Sequence, residues 1–304
     1  MPVHGAMRRR LRDSAAGQAA LLLAPAVLIY GGLALYPLVD VIKLSFVKWN
    51  GLTAAQPFVG LANYVQIFTA DPVFWRALTN TLIWTVLSVI VPPGIGFLLA
   101  LGLNQSIPGR SLLRAVFYLP VIIAPIAVAT IWRWMYDPYF GLFNQVLTAL
   151  GAGGLIRDWL GDSSIALYSI FIAYVWESAG FSMVLFLAGL QGVPRVLVEA
   201  ARIDGAGRWS VFRYVVLPAL GPSLTIVVVL SLINSFRAFD IVYGMTGGGP
   251  AQSTQMLALW AYTQAMQLGD FGPGSAISVI LLLTTAAVVI PYVHRVVRRR
   301  EVAG

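Results

Sequence analysis

The chain has 304 residues, of which 59% are hydrophobic and 11% are charged, with a mean hydropathy of +0.81. Soluble domains carry about 25% charged residues, so this composition excludes an ordinary water-soluble protein and favours one that faces lipid. The absence of cysteine excludes disulfides and thiolate metal sites. The only histidines, His4 and His294, lie in arginine-rich end segments, which excludes a histidine-based metal site or catalytic triad within the membrane.

Six windows with few or no charges are long enough to cross a bilayer as helices, which takes about 20 apolar residues each. Backbone amides in lipid must be satisfied within the segment, and the period-2 alternation of a membrane barrel is absent. The windows therefore predict an all-α, polytopic membrane protein with six transmembrane helices. They are Ala19–Val39, Ala77–Gly109, Ala115–Trp132, Ile165–Leu190, Tyr214–Phe236 and Phe271–Val293.

The arginines alternate between the loops in a way that predicts the orientation. Residues 1–18 and 295–304 form basic tails, and residues 191–213 form the longest basic loop, while the intervening loops hold few lysines or arginines. Because lysine and arginine accumulate on the cytoplasmic side, both tails are expected in the cytoplasm, flanking a transmembrane domain at 19–294. Topology thus explains the net charge of +8, and no nucleic-acid partner is expected.

The loop 191–213 carries the most informative pattern of the chain. Pro194 starts a short helix, Gly205 and Gly207 break it, and a second short amphipathic helix with Trp209 and Phe212 on one side follows. The pattern predicts a helix–break–helix knob whose alanines permit close approach and whose charges orient a partner. The candidate contact residues are Glu199, Ala200, Ala201, Arg202, Asp204, Gly205 and Ala206.

The sequence of this knob resembles the EAA signature of permeases from binding-protein-dependent ABC importers. The resemblance extends to Thr246–Pro250, which is similar to the sugar-importing branch that contains the maltose and glycerol-3-phosphate permeases. It covers roughly residues 20 to 295. Further matching positions are Phe58 to Leu61, Asn63, Tyr64, Asn80, Thr81, Tyr118 to Pro120, Trp132, Trp134, Gly141, Asn144, Phe212, Leu217, Pro218, Pro222, Ser253 and Thr254.

The resemblance implies the type I permease fold of ABC importers, in a bacterial or archaeal plasma membrane. It also implies a second homologous permease, two ATPase subunits that dock on the EAA loop, and an extracytoplasmic solute-binding protein. No phosphate-binding loop occurs here, because neither lysine, Lys43 nor Lys48, follows a glycine. The chain is therefore expected to be a transport subunit and not an enzyme, without a cofactor of its own, while ATP and magnesium belong to the partner ATPase.

Ionisable residues at membrane depth are costly and usually functional. Glu177 lies in the middle of the fourth helix, and Arg237 and Asp240 lie at the outer end of the fifth, three residues apart and thus expected on one helical face. Asn234 and Tyr243 fall near the same face and suit hydroxyl-rich ligands. These five residues are candidates for the substrate pathway; the alternative is a structural ion pair.

Three other functions remain open from the residues alone. The first is an importer permease for a non-sugar solute, such as an amino acid, phosphonate or peptide. The second is a polytopic membrane enzyme, although no cluster of catalytic carboxylates or nucleophile–base pair is visible. The third is a passive channel or scaffold. Copurification of an ATPase would distinguish an importer permease from a membrane enzyme and from a channel or scaffold.

Overall fold

The computed structural model describes residues 19–20, 22–236 and 238–303. This part of the chain is helical, apart from an isolated β-bridge between Val47 and Phe58. The helices are α1 (Leu22–Leu44), α2 (Ala62–Ala70), α3 (Pro72–Leu103), α4 (Arg110–Ile122), α5 (Pro125–Met135), α6 (Leu142–Ala149), α7 (Ala166–Gln191), α8 (Arg195–Ile203), α9 (Arg208–Ala219), α10 (Gly221–Ser235), α11 (Phe239–Thr246), α12 (Leu257–Tyr262) and α13 (Phe271–Ala303).

Four helices, α1, α3, α7 and α13, are each long and apolar enough to cross a membrane. Two bent pairs bring the number to six if each pair is counted as one span: α4 meets α5 at 101°, and α9 meets α10 at 60°. Each of the six predicted windows falls on one of these helices or pairs, so the prediction of an all-α polytopic membrane protein is confirmed.

The bend between α4 and α5 corrects the prediction of one helix through Ala115–Trp132. Ile123 and Ala124 are extended, with ψ angles of 133° and 137°. Pro125 follows, and a proline disfavours the helical conformation of the residue before it. The amide that Pro125 lacks is one that the first turn of α5 would leave unpaired in any case. The local sequence therefore ends one helix and starts the next within two residues.

The centre of the bundle is the crossing of α3 and α7, which glycines bring close together. A Cβ atom added to Gly96 of α3 would lie 2.6 Å from the Cβ of Ser182 and 2.7 Å from the backbone nitrogen of Met183 in α7. Gly180 of α7 faces the backbone carbonyl of Phe117 in α4 in the same way. Small residues allow this approach, which brings backbones into van der Waals contact in a membrane bundle.

We call the end of the bundle that contains residues 192–207 the coupling end and the other the distal end. Buried asparagines fasten the loops of the distal end, since each donates two hydrogen bonds from Nδ2 to backbone carbonyl oxygens. Asn63 binds Ser45 and Val47, each at 2.9 Å; Asn80 binds Ser253 and Gln255, at 2.7 and 2.8 Å; Asn144 binds Pro138 and Arg157, at 3.3 and 3.0 Å.

Candidate functional site

A cavity of about 340 Å³ with both apolar and polar walls lies on one side of the bundle, beside the bend between α4 and α5. Val121 and Pro125 contribute one wall, because the bend moves α5 away from the direction of α4. The opposite wall comes from α7, α10 and α11. The structure brings three of the five predicted pathway residues together here, namely Glu177, Asn234 and Asp240.

Four residues of α7 line this cavity at helical spacing. Tyr174, Glu177, Ser178 and Phe181 follow an i, i+3, i+4, i+7 pattern and so share one face of the helix. The Ser178 hydroxyl donates to the Tyr174 carbonyl at 2.7 Å, which satisfies it within α7. Glu177 is half-buried, and in the described part of the chain it makes no ion pair.

Asn234 and Asp240 are exposed to the cavity from separate helices. The prediction that Asp240 lies at the outer end of the fifth helix is wrong, because α10 ends at Ser235 and Asp240 belongs to α11. Arg237 itself lies outside the described residues. The cavity therefore presents two carboxylates and one carboxamide, groups that accept and donate hydrogen bonds to hydroxyls.

Tyr243, the fifth predicted pathway residue, does not line this cavity. Its ring stacks on Phe239 with centroids 5.3 Å apart and meets the edge of Tyr262 at 5.7 Å. Phe239 and Tyr262 also touch edge to face, at 5.3 Å, so the three rings join α11 to α12. The aromatic cluster holds α11 in place, and α11 in turn positions Asp240.

The predicted knob on residues 191–213 is present as α8, a break and the start of α9. After Ile203 the chain turns through Gly205, whose φ of +84° is the left-handed conformation. The amide of Ala206 donates to the Ala201 carbonyl at 2.9 Å, and the amide of Gly205 donates to the Arg202 carbonyl at 3.1 Å. These two bonds form a Schellman motif, which explains why glycine occupies this position.

The α8 helix presents apolar side chains to the outside of the bundle. Ile203 is 86% exposed, Val196 73% and Leu197 52%, and Trp209 at the start of α9 is 72% exposed. Ala200 is exposed as well, whereas Ala201 and Ala206 are half-buried. An exposed apolar cluster on a charged, helical protrusion is typical of a surface that docks a partner.

A second cavity, of about 520 Å³, lies between α8 and the transmembrane helices. Glu199 and Arg202 line it from α8, and Asn104 and Gln191 line it from the ends of α3 and α7. Sequence reasoning missed Asn104 and Gln191, because neither belongs to a charged or glycine-rich pattern. Glu199 and Arg202 therefore face the joint between the knob and the bundle as well as solvent.

The glycine-rich segment Thr246–Pro250 is anchored at the distal end. The hydroxyls of Thr246 and Thr254 lie 2.7 Å apart, and the Thr254 hydroxyl donates to the Gly249 carbonyl at 2.7 Å. The same loop is held against α3 by Asn80 and by Arg76, whose guanidinium donates to the Ala251 carbonyl at 3.0 Å. The segment is thus a turn that hydrogen bonds hold in place, and it has no lysine of the kind that a phosphate-binding loop requires.

Comparison with known proteins places the chain in a family. The family model described as "Binding-protein-dependent transport system inner membrane component" matches residues 93–302. A probable ABC transporter permease of Pyrococcus horikoshii is 38% identical over 90% of this chain and 94% of its own length. The trehalose/maltose transport system permease protein MalF of Thermococcus litoralis is 36% identical, over 90% and 91%.

A third relative, the sulfoquinovosyl glycerol transport system permease protein SmoG of Agrobacterium fabrum, is 34% identical over 93% of this chain and 91% of its own length. Among solved structures, a chain of a bacterial ABC transporter involved in alginate import superimposes with a TM-score of 0.83. It is 22% identical, over 96% of this chain and 99% of that one, and so supports the fold. The chain is a multi-pass membrane permease and belongs to the family of inner membrane components of binding-protein-dependent transport systems.

Proposed function

We propose that this chain is the permease subunit of an ABC importer that carries a sugar or sugar-like solute, such as an oligosaccharide, a polyol or a glycerol phosphate, into the cytoplasm. The observation that carries the proposal is the lateral cavity in which α7, α10 and α11 present Glu177, Asn234 and Asp240. Carboxylate and carboxamide groups suit the many hydroxyls of a carbohydrate. Relatives named for trehalose/maltose and sulfoquinovosyl glycerol transport support the same solute class.

The cavity is one half of the translocation pathway. A second, homologous permease packs against this side of the bundle across a pseudo-two-fold axis and supplies the other half. Tyr243, on α11, is a further candidate for the pathway, as is Arg237, which lies outside the described residues. A heterodimer places different side chains opposite Glu177 and Asp240, which lets one cavity recognise an asymmetric solute.

Two ATPase subunits supply the energy and hold ATP and magnesium. One of them docks on the knob at residues 195–206, where the exposed Val196, Leu197 and Ile203 enter an apolar groove and Glu199, Arg202 and Asp204 fix the orientation. Closure of the ATPases on ATP moves α8 as a rigid body, since the Schellman turn at Gly205 fixes the end of α8.

The motion of α8 reaches the cavity through two connections. On one side Gly192, Val193 and Pro194 join α8 to α7, which carries Glu177. On the other side α9 leads into α10, which carries Asn234, through the bend at Leu220. Both walls of the cavity are thus linked to the same protrusion, as alternating access requires.

The coupling end faces the cytoplasm, with both termini, and the distal end faces the outside of a bacterial or archaeal plasma membrane. The clustered arginines of the coupling end support this orientation. An extracytoplasmic solute-binding protein then delivers the solute at the distal end, where residues 136–165 and 247–270 connect the transmembrane helices.

Uptake into cells that lack the native transporter tests the proposed solute class. Radiolabelled maltose, trehalose, glycerol phosphate and an amino acid are compared in wild type and in Glu177→Gln, Asn234→Ala and Asp240→Asn, with Thr130→Ala as a control away from the cavity. Loss of carbohydrate uptake in the three cavity variants, with ATPase binding retained, is expected. Preferential uptake of the amino acid, or unchanged uptake in all three variants, would contradict the proposal.

Copurification tests the coupling separately. The Glu199→Arg, Gly205→Asp double variant is expected to lose the ATPase and retain the second permease in mild detergent. An ATPase retained by this variant, or none recovered with the wild type, would contradict the docking role assigned to the knob.

A further inference from the structure

A groove of about 540 Å³ lies at the distal end, far from the knob, between the loop after α6 and the start of α7. Its floor is apolar: Leu147 and Leu155 come from the loop side, and Ile165, Tyr168 and Ile172 come from the α7 side. The volume falls within the range of small-molecule sites.

The α7 wall of this groove belongs to a surface that faces away from the transport cavity. Tyr168, Ile172 and Trp176 are four residues apart, share one helical face, and are 50%, 51% and 41% exposed. Glu177 follows Tyr168 by about two and a half helical turns and so lies on the opposite side of α7. Since the cavity side of α7 faces the pathway, the side with Tyr168 and Ile172 faces lipid.

The loop wall is also suited to lipid. No charged residue occurs from Pro138 to Ile156, although Leu150 and Leu155 are 75% and 61% exposed. Water solvates such a segment poorly, whereas a membrane interface accepts it. The groove thus continues the lipid-facing surface of α7 upward to a second apolar wall.

The rim of the groove carries one charge of each sign, Arg157 and Asp162. Ser164 donates to Oδ1 of Asp162 from its amide at 2.9 Å and from its hydroxyl at 2.6 Å. These hydrogen bonds, with the nearby Arg157, lower the pKa of the Asp162 carboxyl, which is therefore charged at neutral pH. Oδ2 of Asp162 accepts no hydrogen bond from the described residues, and Arg157 lies more than 4 Å from every described carboxylate.

We propose that this groove binds an amine-bearing phospholipid of the phosphatidylethanolamine class. One acyl chain lies between Leu155 and Ile172, the phosphate accepts hydrogen bonds from the Arg157 guanidinium, and the primary ammonium donates to the Asp162 carboxylate. A zwitterion, with one charge of each sign, matches the rim better than an anionic lipid, which would meet Asp162, or a free phosphate, which would leave the apolar walls uncovered.

Photolabelling tests the proposal on the full chain, purified with its accompanying subunits and reconstituted in phosphatidylcholine vesicles. Trace amounts of phosphatidylethanolamine or phosphatidylcholine, each with the same diazirine tail, are added in parallel. Adducts at Leu155 and Ile172 are expected to be several-fold more abundant with the ethanolamine lipid. Adducts at Trp176, on the general lipid surface, are expected to be equal for the two lipids and report that the protein is folded.

Charge variants assign the two contacts. Arg157→Gln is expected to lower groove labelling by both lipids by about five-fold, the effect of one arginine beside a lipid phosphate. Asp162→Asn is expected to abolish the preference for ethanolamine only. Arg133→Gln and Asp270→Asn remove the same charges elsewhere at the distal end and are expected to leave groove labelling unchanged.

Several outcomes would overturn the proposal. Equal groove labelling by the two lipids would mean a general lipid surface without headgroup recognition. If Trp176 were labelled and the groove were not, a protein subunit would cover the groove. Suppression of labelling by millimolar inorganic phosphate would identify a free-anion site, and equal effects of the groove and control variants would remove the role of the rim.

Discussion

The indole Nε1 of Trp260 donates a hydrogen bond of 2.7 Å to Oδ2 of Asp71. The other carboxylate oxygen, Oδ1, accepts from the amides of Val73 and Phe74, at 2.9 and 3.0 Å, and so caps α3. One side chain therefore starts a transmembrane helix and ties it to α12, which lies 189 residues further along the chain. Trp260 also packs in the same apolar cluster as Phe74 and Ile277, so α13 joins α3 and α12 at this point.

Asp71 variants should separate the cap from the interhelical bond. Asp71→Asn keeps an equally good capping oxygen but places an NH₂ group opposite the indole N–H. Asp71→Asn should therefore destabilise the protein by about 1 kcal/mol, and Trp260→Phe should do the same. A loss of this size lowers the melting temperature in detergent by about 2 °C. Asp71→Ala, which also loses the cap, should cost about 1–2 kcal/mol more.

The double variant Asp71→Asn, Trp260→Phe checks that the two losses share one contact. Its loss of stability should be smaller than the sum of the two single losses, because the same hydrogen bond is removed in all three variants. Trp134→Phe, at a 69% exposed indole, is the control and should leave the melting temperature unchanged. Additive losses in the double variant would contradict the assigned contact.

Gly205 should be sensitive to any Cβ atom for conformational reasons alone. A Cβ at this position meets no atom within 4 Å, but φ is +84°, a conformation that costs an alanine about 1–2 kcal/mol. Gly205→Ala should therefore loosen the end of α8 and lower transport-coupled ATP hydrolysis, and Gly205→Asn should be milder because asparagine tolerates this conformation better.

Gly207 provides the matched control for that experiment. It lies two residues away, also meets no atom within 4 Å of an added Cβ, and has a φ of −66°. A transporter that contains Gly207→Ala should show the same ATP hydrolysis and the same transport as the wild type. If both alanine variants were equally impaired, a steric clash between the added methyl group and the docked ATPase would explain the effect, and backbone conformation would not.

Ile203 should contribute to docking without contributing to the stability of this chain. Its side chain is 86% exposed, so Ile203→Ser removes little buried surface here. In a docked complex the same side chain is buried, and its loss should weaken ATPase binding by more than about 1 kcal/mol, or about five-fold or more. Titration of the purified ATPase into the reconstituted permease measures this change.

The control is Leu150→Ser, at a side chain that is 75% exposed at the distal end. It removes a similar exposed apolar group far from the knob and should leave ATPase affinity unchanged. Melting temperatures should match the wild type for both variants. An unchanged affinity in Ile203→Ser would exclude this side of α8 from the docking surface.

The sequence predicts the transmembrane windows and the knob because both depend on local patterns. Charge-free length identifies the helices, and Asp204-Gly205-Ala206 identifies the end of α8. The bend at Ala124 was missed because hydrophobicity continues through it, although Pro125 carried a signal. The prediction that Asp240 lies at the outer end of the fifth helix failed for the same reason, since an apolar run does not reveal where backbone hydrogen bonding is interrupted.

Contacts between distant segments could not be predicted from local patterns. Asn80 and Ser253 belong to the positions that resemble the importer family. No local sequence pattern, however, indicates that the Asn80 side chain donates a hydrogen bond of 2.7 Å to the Ser253 carbonyl. Likewise Glu177 and Asn234 were both singled out by polarity, yet only the packing of α7 against α10 places them in one cavity while directing Tyr243 elsewhere.

The crossing of α3 and α7 should respond oppositely to the same substitution at two neighbouring glycines. Gly96→Ala places a methyl group 2.6–2.8 Å from Ser182, Met183 and Ala179, two of these contacts being backbone atoms. The helices must separate, at a cost of about 1–3 kcal/mol. Gly94→Ala meets nothing within 4 Å, so replacing a flexible glycine within a helix should stabilise α3 by about 0.5–1 kcal/mol.

Melting temperatures of the two variants in detergent, and uptake in cells, measure both effects. A lower melting temperature for Gly96→Ala and an equal or higher one for Gly94→Ala would place the tight contact at Gly96. Because Gly96 packs against the half of α7 that follows Glu177, the separation should also reduce uptake while ATPase copurification persists. Equal behaviour of the two variants would mean that α3 and α7 are not in close contact at Gly96.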